Sequence, residues 1–188
     1  AGTASIDIGA VTYTAPSNDL NGNPRPNPVG TVPDMGAYES DKGVDPNYAG
    51  PVWYVDGPAG LPYGNGGPGA PFTTIQAGID ASSSGDTVSV KAGTYVENID
   101  YSGKEISVIG EDRETTIIDG NQAGRVVKAG NNTHLANFTI RNGNNGPPNE
   151  EPSGGGIKSG SGNTFENLII SGNVASHGGG IFINESIL

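Results

Sequence analysis

The chain has 188 residues, 33% of them hydrophobic, with 32 glycines, 14 prolines and no cysteine. Its formal net charge of −11 excludes the basic footprint that nucleic acid or an anionic membrane needs. The lack of cysteine excludes disulfide scaffolds, thiolate metal sites and cysteine nucleophiles, and no apolar run approaches the ~18 residues of a membrane span. Isoleucine (16) and valine (13) far outnumber leucine (5) and methionine (1). An apolar set this β-branched, clustered in short runs, suits pleated strands and argues against a disordered chain.

Residues 1–40 differ from the rest. Ser5-Ile6-Asp7-Ile8-Gly9-Ala10 and Pro33-Asp34-Met35-Gly36-Ala37-Tyr38-Glu39 are related strings, separated by the turn-rich stretch Asn18–Pro26. Short extended pieces joined by turns are expected there. Residues 41–51 read as a linker. A new unit opens at Val52-Trp53-Tyr54-Val55, a strand by composition, followed by a Gly/Pro loop over 57–70. One helix is expected over roughly 74–83: Thr73 and Gln76 form a capping-box pattern, Ile75 and Ile79 share a face, and Gly85 is a natural stop.

Beyond the helix come apolar runs of period two, each bounded by Gly, Asn or Asp: Thr87–Val90, Ile106–Ile109, Thr116–Ile118 and Arg125–Val127. Two self-similar blocks then follow. Asn137-Phe138-Thr139-Ile140 and Asn167-Leu168-Ile169-Ile170 lie 30 residues apart, and Gly154-Gly155-Gly156-Ile157 and Gly178-Gly179-Gly180-Ile181 lie 24 apart. Self-similarity at this period, with Gly and Asn corners instead of hairpin pairs, predicts a stacked β-coil over a sandwich or barrel. Asn137 and Asn167 fall at the same place in successive repeats, so their amides are expected to hydrogen-bond along the stack.

These residues resemble a known family. Pro71–Asp80, Gly85–Val90, Gly93–Ile99 and Thr116–Gly120 look like the opening of a pectin-lyase-like right-handed parallel β-helix. The resemblance implies an all-β solenoid with a short helix capping its N-terminal end. The Gly-Gly-Gly-Ile repeats are similar to those of polymorphic surface β-helix proteins. Residues 1–40 resemble the closing segment of bacterial choice-of-anchor β-helix proteins, through Asp19-Leu20-Asn21-Gly22-Asn23-Pro24-Arg25 and Asp34–Glu39. A family tail thus precedes a family head. The expectation is a processed product or a segment of a tandem array: 1–40 closing one unit, 41–51 linking, and 52–188 forming a β-helix incomplete at its C-terminal end. A coil left open at Leu188 would expose apolar side chains and strand edges. The 1–40 segment of one molecule covering the open end of another would give head-to-tail polymers.

Chemistry is harder to find. Glycan hydrolases need paired carboxylates, and lyases need a base with a charge neutraliser. The acidic candidates are Glu97, Asp100, Glu111, Asp112, Asp119, Glu150 and Glu151. Asp119 sits at an Asp-Gly corner and is expected to cap a turn. Glu150 and Glu151 lie in an insertion over 142–153, which is expected to be a solvated loop. Related esterases need a Gly-Tyr-Gln-Asp segment and aspartates on adjacent coils; after Asp119 this chain has no Asp, only Glu150, Glu151, Glu166 and Glu185. The lyases' basic cluster is missing too. Asp19, Asn21 and Asn23 hint at a calcium loop, but Pro24 and Gly30 replace its required Gly and Glu. His134 and His177 have no acid nearby in sequence. Trp53, Tyr54, Tyr63, Tyr95 and Tyr101 could stack on sugars, but Trp53-Tyr54 is expected to form the first strand under the helix. Asn131, Asn137 and Asn184 match Asn-x-Ser/Thr by chance in an Asn-rich repeat.

The sequence therefore points to no catalytic residue, no metal site and no cofactor. The leading expectation is a bacterial, secreted or cell-surface structural repeat, self-associating head to tail and presenting loops to glycans. The alternatives are the non-catalytic start of a polysaccharide-degrading enzyme and a glycan-binding adhesin module, which would carry a row of exposed aromatics.

Overall fold

A computed structural model of the chain describes residues 5–8, 11–14, 48–57, 60, 64–146 and 154–184, the first two segments as backbone only. Strands β1 (Ser5–Ile8) and β2 (Val11–Thr14) pair antiparallel, with Ile8 opposite Val11. The domain expectations for 1–40 and 41–51 otherwise fall largely outside the described residues.

From Val52 the chain winds in coils. The first holds β3 (Val52–Val55) and α1 (Ile75–Ala81). The second holds β4 (Thr87–Val90), β5 (Gly93–Val96) and β6 (Ile99–Asp100). The third holds β7 (Ser107–Gly110), β8 (Thr116–Asp119) and β9 (Val127–Lys128). The fourth holds β10 (His134–Ala136), β11 (Thr139–Arg141), β12 (Asn144–Asn145) and β13 (Ile157–Ser159). The fifth holds β14 (Thr164–Glu166), β15 (Ile169–Ser171), β16 (Val174–Ala175) and β17 (Ile181–Ile183). Each strand pairs in parallel with its counterpart one coil away. The sheets run β14-β10-β7-β4-β3, β15-β11-β8-β5, β17-β13-β9-β6 and β12-β16. Above β1–β2 the chain is a right-handed parallel β-helix, the hand favoured wherever parallel strands of one sheet are joined by a crossover.

Period-two alternation fills the interior, because every second residue of a strand points inward. Three columns run through the core. Trp53, Val88, Val108 and Leu135 stack in one, Tyr95, Ile118 and Ile140 in the second, and Ile99, Val127 and Ile157 in the third. Seven of these ten residues are Ile or Val, drawn from the β-branched excess in the composition.

Helix α1 closes the lower end. It packs Ile75, Gly78 and Ile79 inward, while the outer edge of β3 is taken up by the backbone of Gly66 and Phe72. Its cap is Thr74, not Thr73: the Thr74 hydroxyl accepts from the Ala77 amide at 3.3 Å. Gln76 does not complete a capping box. Its side chain reaches the next coil, accepting from Asp100 N–H at 2.9 Å and donating to Asp100 C=O at 3.1 Å. The helix ends at Ser82, not at Gly85, because Ser82 N–H bonds back to Gly78 and Ile79 carbonyls. The Ser82 hydroxyl also donates to Ile79 C=O at 2.7 Å. Among the described residues no helix is long and apolar enough to cross a membrane.

Candidate functional site

The corners between strands carry the repeat signature. Asn137 and Asn167 occupy left-handed backbone positions (φ 64° and 50°) between the first and second strands of their coils. Short polar side chains tolerate that conformation because they bond locally. The Asn167 amide donates to Asn137 Oδ1 at 2.9 Å, and the Asn137 amide donates to Gly110 C=O at 3.1 Å. Asn173 works the next corner, accepting from Gly143 N–H at 2.7 Å and donating to Ile140 C=O at 3.0 Å. Asn163 accepts from the Thr133 amide and hydroxyl, both at 2.7 Å.

The glycine runs form stacked corners. Gly154 and Gly178 take φ of 66° and 59°, and Gly154, Gly155 and Gly156 donate to the carbonyls of His177, Gly178 and Gly179 above. A Cβ on Gly155 would collide with Val174 C=O, and one on Gly156 would lie 2.5 Å from Gly180 C=O. Three glycines are needed because backbone meets backbone at this corner. The coil offset drops from 30 residues at Asn145↔Ala175 to 24 at Ile157↔Ile181. The extra residues therefore come after Asn145, later than the 142 start expected from sequence, since Asn144–Asn145 still belong to a strand. Glu150 and Glu151 lie outside the described residues.

Each remaining acidic candidate holds a neighbour in place. Glu97 accepts from the Ile75 and Gln76 amides at 2.9 and 3.0 Å, filling the free donors at the start of α1. Asp100 pairs with Lys128 at 2.9 Å. Burial would raise its pKa, but bonds from Lys128 and the Ser102 amide outweigh that and lower it. Glu111 takes Lys91 at 2.9 Å and the Ala92 amide at 3.0 Å, and those bonds hold its pKa down. Asp112 accepts from the Glu114 amide at 2.9 Å.

Asp119 caps its corner as expected, accepting from the Asn121 amide at 3.0 Å. It also receives Arg141 Nε at 2.9 Å and the Asn142 amide, both from the coil above. Burial pushes the Asp119 pKa up, yet the bonds from Asn121, Asn142 and Arg141 prevail and lower it. Asp86, not singled out in the sequence, accepts from the Ser83 amide and from Trp53 Nε1 at 2.9 Å; these lower its pKa.

Of the aromatic candidates, Trp53, Tyr95 and Tyr101 are buried. Trp53 lies inside, stacked on Phe72 and edge-on to Tyr48. The Tyr95 hydroxyl accepts from Gly57 N–H and donates to Lys91 C=O. Tyr101 is fully buried, which pushes its pKa far up. Tyr54 is half-buried, and Tyr63 and the Asp19–Asn23 string lie outside the described residues. No aromatic side chain is fully exposed among the described residues. Asn131 and Asn184 are exposed; Asn131 accepts from the Ser161 amide at 2.9 Å.

The fold supplies what the sequence hid about the histidines. Glu166, on the coil above, places Oε2 3.6 Å from His134 Nε2, a buried nitrogen with no hydrogen-bond partner. The 30-residue offset was the available signal: it puts Thr164 over His134 and Glu166 two residues on. His177 serves through its backbone carbonyl. Among the described residues no cluster of His, Asp and Glu could hold a metal. Among the described residues, one shallow concavity of about 370 Å³ is lined by Thr73, Thr74, Thr94, Tyr95 and Glu97, and another of about 260 Å³ by Lys128, Asn131, Lys158, Ser159 and Asn184.

The fifth coil is the other notable surface. Phe165, Ile170 and Ile181 continue the three core columns. Phe165 and Ile170 are only half-buried and Ile181 is 37% exposed, whereas Leu135, Ile140 and Ile157 beneath them are fully buried. Ile183 stands over buried Ser159 and is 53% exposed.

No family model and no curated protein matches the chain. Among solved structures the chain is similar to a pectin methylesterase from carrot, with 23% identity and a TM-score of 0.49. The match covers 66% of this chain and 40% of that one.

Proposed function

We propose that this chain is a non-catalytic structural module, a repeat of an extracellular surface or matrix β-helix protein that extends by adding coils to the face of residues 164–183. The observation that carries it is the use made of the described carboxylates. Glu97, Asp100, Glu111 and Asp119 each accept from a backbone amide or a cation of a neighbouring coil or helix, so they join coils together. A general acid or base must instead reach a substrate proton. The half-exposed upper ends of the core columns support the second half of the reading, because fully burying one such aliphatic side chain contributes about 1.5–3 kcal/mol.

The test is turnover. Esterified and de-esterified polygalacturonate, and a panel of neutral glycans, are incubated with the chain while reducing ends, unsaturated products and methanol are followed. The expected result is no release above the blank. Release that disappears in Asp119→Asn or Glu166→Gln would overturn the reading in favour of an enzyme.

A further inference from the structure

Helix α1 covers the interior at the lower end of the stack, but β3, β5 and β6 also present their lower edges there. Two of those edges are met. The β3 edge is taken by backbone: Tyr54 N–H donates to Gly66 C=O at 2.8 Å, and Phe72 N–H donates to Tyr54 C=O at 2.9 Å. The β6 edge is taken by a side chain, since the Gln76 amide bonds both the N–H and the C=O of Asp100, at 2.9 and 3.1 Å. The β5 edge has no such partner. The Gly93 and Glu97 amides donate upward, to the Thr115 and Asp119 carbonyls. Successive residues of a strand face opposite neighbours, so the N–H and C=O of Thr94 and Val96 face away from β8. Among the described residues nothing bonds them. Both residues are exposed, Val96 by 63%, and the concavity of about 370 Å³ bounded by Thr73, Thr74, Thr94 and Val96 runs beside them.

This edge is internal to the chain. It exists because the first coil passes beneath β3 and then forms α1, with no described strand under β5. An uncovered edge is a template for another strand. The hairpin β1–β2 has the complementary need. Two strands alone are marginal in water and require a third strand or a packing partner. Among the described residues β1 and β2 pair only with each other. Their register puts Ile6, Ile8, Val11 and Tyr13 on one face and Ser5, Asp7, Thr12 and Thr14 on the other. Each has four residues, as β5 has. The chain that joins the hairpin to the coils arrives at the same end of the stack, where Tyr48 packs edge-on against Trp53 of the first coil. Residues 15–47, at roughly 3.3 Å each when extended, are long enough to reach any point of that end.

We propose that the free edge of β5 is the docking site of this chain's own β1–β2 hairpin. One hairpin strand pairs with Thr94 and Val96 and extends the four-stranded sheet by two strands. The face of Ile6, Ile8, Val11 and Tyr13 turns to the inner side of that sheet, the side on which Tyr95 is buried. The face of Ser5, Asp7, Thr12 and Thr14 continues the outer side beside Val96. Pairing within one molecule needs no second copy, and it leaves the fifth coil available for the addition of further coils.

The chain has no cysteine, so an introduced disulfide can report the pairing. Val96→Cys is combined in turn with Ser5→Cys, Asp7→Cys, Thr12→Cys and Thr14→Cys in the full 188-residue chain. Residues facing each other on adjacent strands lie within disulfide range. At least one pair should therefore close within a single chain, seen as a monomer of altered mobility on a non-reducing gel. Val174→Cys, on the fifth coil and 54% exposed, should link to none of the four, and thermal melting of the reduced variants checks folding. In the unaltered chain, hydrogen exchange at the Thr94 and Val96 amides should be at least about a hundredfold slower than in an unfolded chain. Exchange at unfolded-chain rates overturns the proposal. Slow exchange with no link to any of the four positions also overturns it and assigns the edge to another segment. Links found only between two chains overturn pairing within the molecule and assign the edge to a second copy's hairpin. The turnover assay is read separately, since none of these outcomes bears on catalysis.

Discussion

The side-chain amide of Asn167 donates to the side-chain oxygen of Asn137, 2.9 Å away and 30 residues earlier. Both residues hold left-handed backbone angles, so one residue type satisfies two demands: the turn and the bond to the next coil. Asn137→Ala should cost about 1.5–3 kcal/mol, summing a strained backbone and lost hydrogen bonds. Asn137→Gly keeps the turn and should cost less. Denaturant midpoints of the two variants separate the contributions; equal losses would show that backbone strain is not part of the cost.

Stability should fall in acid. Asp86, Asp100, Glu111 and Asp119 all have lowered pKa values in the fold. A carboxylate with a lowered native pKa contributes stability above its unfolded value, about 3.9 for Asp. It loses that contribution as pH falls through the native value. Melting temperature should be flat near neutrality and drop steeply below about pH 4. In Asp119→Asn the acid drop should be shallower, since one titrating group is gone. An unchanged slope would show that Asp119 has no part in it.

Glu97 reaches from β5's end to the start of α1 and accepts two amides there. Glu97→Ala should fray the helix and cost about 1–2 kcal/mol. Hydrogen exchange at Ile75 and Gln76 should speed up ahead of exchange in β7 and β8. Uniform acceleration would place the effect in global unfolding and not at the helix end.

Gly78 tests packing against propensity. Alanine in a helix interior is normally favoured over glycine by about 1 kcal/mol. Here the new Cβ would lie 2.7 Å from Val88 Cγ1 and 3.0 Å from Val55 Cγ2. Overpacking of this kind costs about 1–3 kcal/mol, so Gly78→Ala should destabilise on balance. Gly78→Ala with Val88→Ala should recover part of the packing strain, which a double-mutant cycle by chemical denaturation would read.

Much of the architecture was legible in the chain. Alternation in Thr87–Val90 and Ser107–Gly110, the β-branched excess and the 30-residue return of Asn determine coils, because a period-two strand and a left-handed corner are local consequences of residue type. The run Gly154–Gly156 is legible for the same reason: where two backbones touch, no Cβ fits. Three things depended on tertiary structure. The helix cap lies at Thr74: the Gln76 side chain found Asp100 across the coil, and Glu97 accepts the Ile75 and Gln76 amides. The histidine's acid, Glu166, became a neighbour only through parallel register. Arg141 and Lys128 became partners of Asp119 and Asp100 in the same way. Residues 22 to 32 apart in sequence have no local signal of contact, since the distance between them is decided by how many residues each coil uses to return. Local physics therefore determined the kind of structure, and the summed coil lengths decided which charges meet.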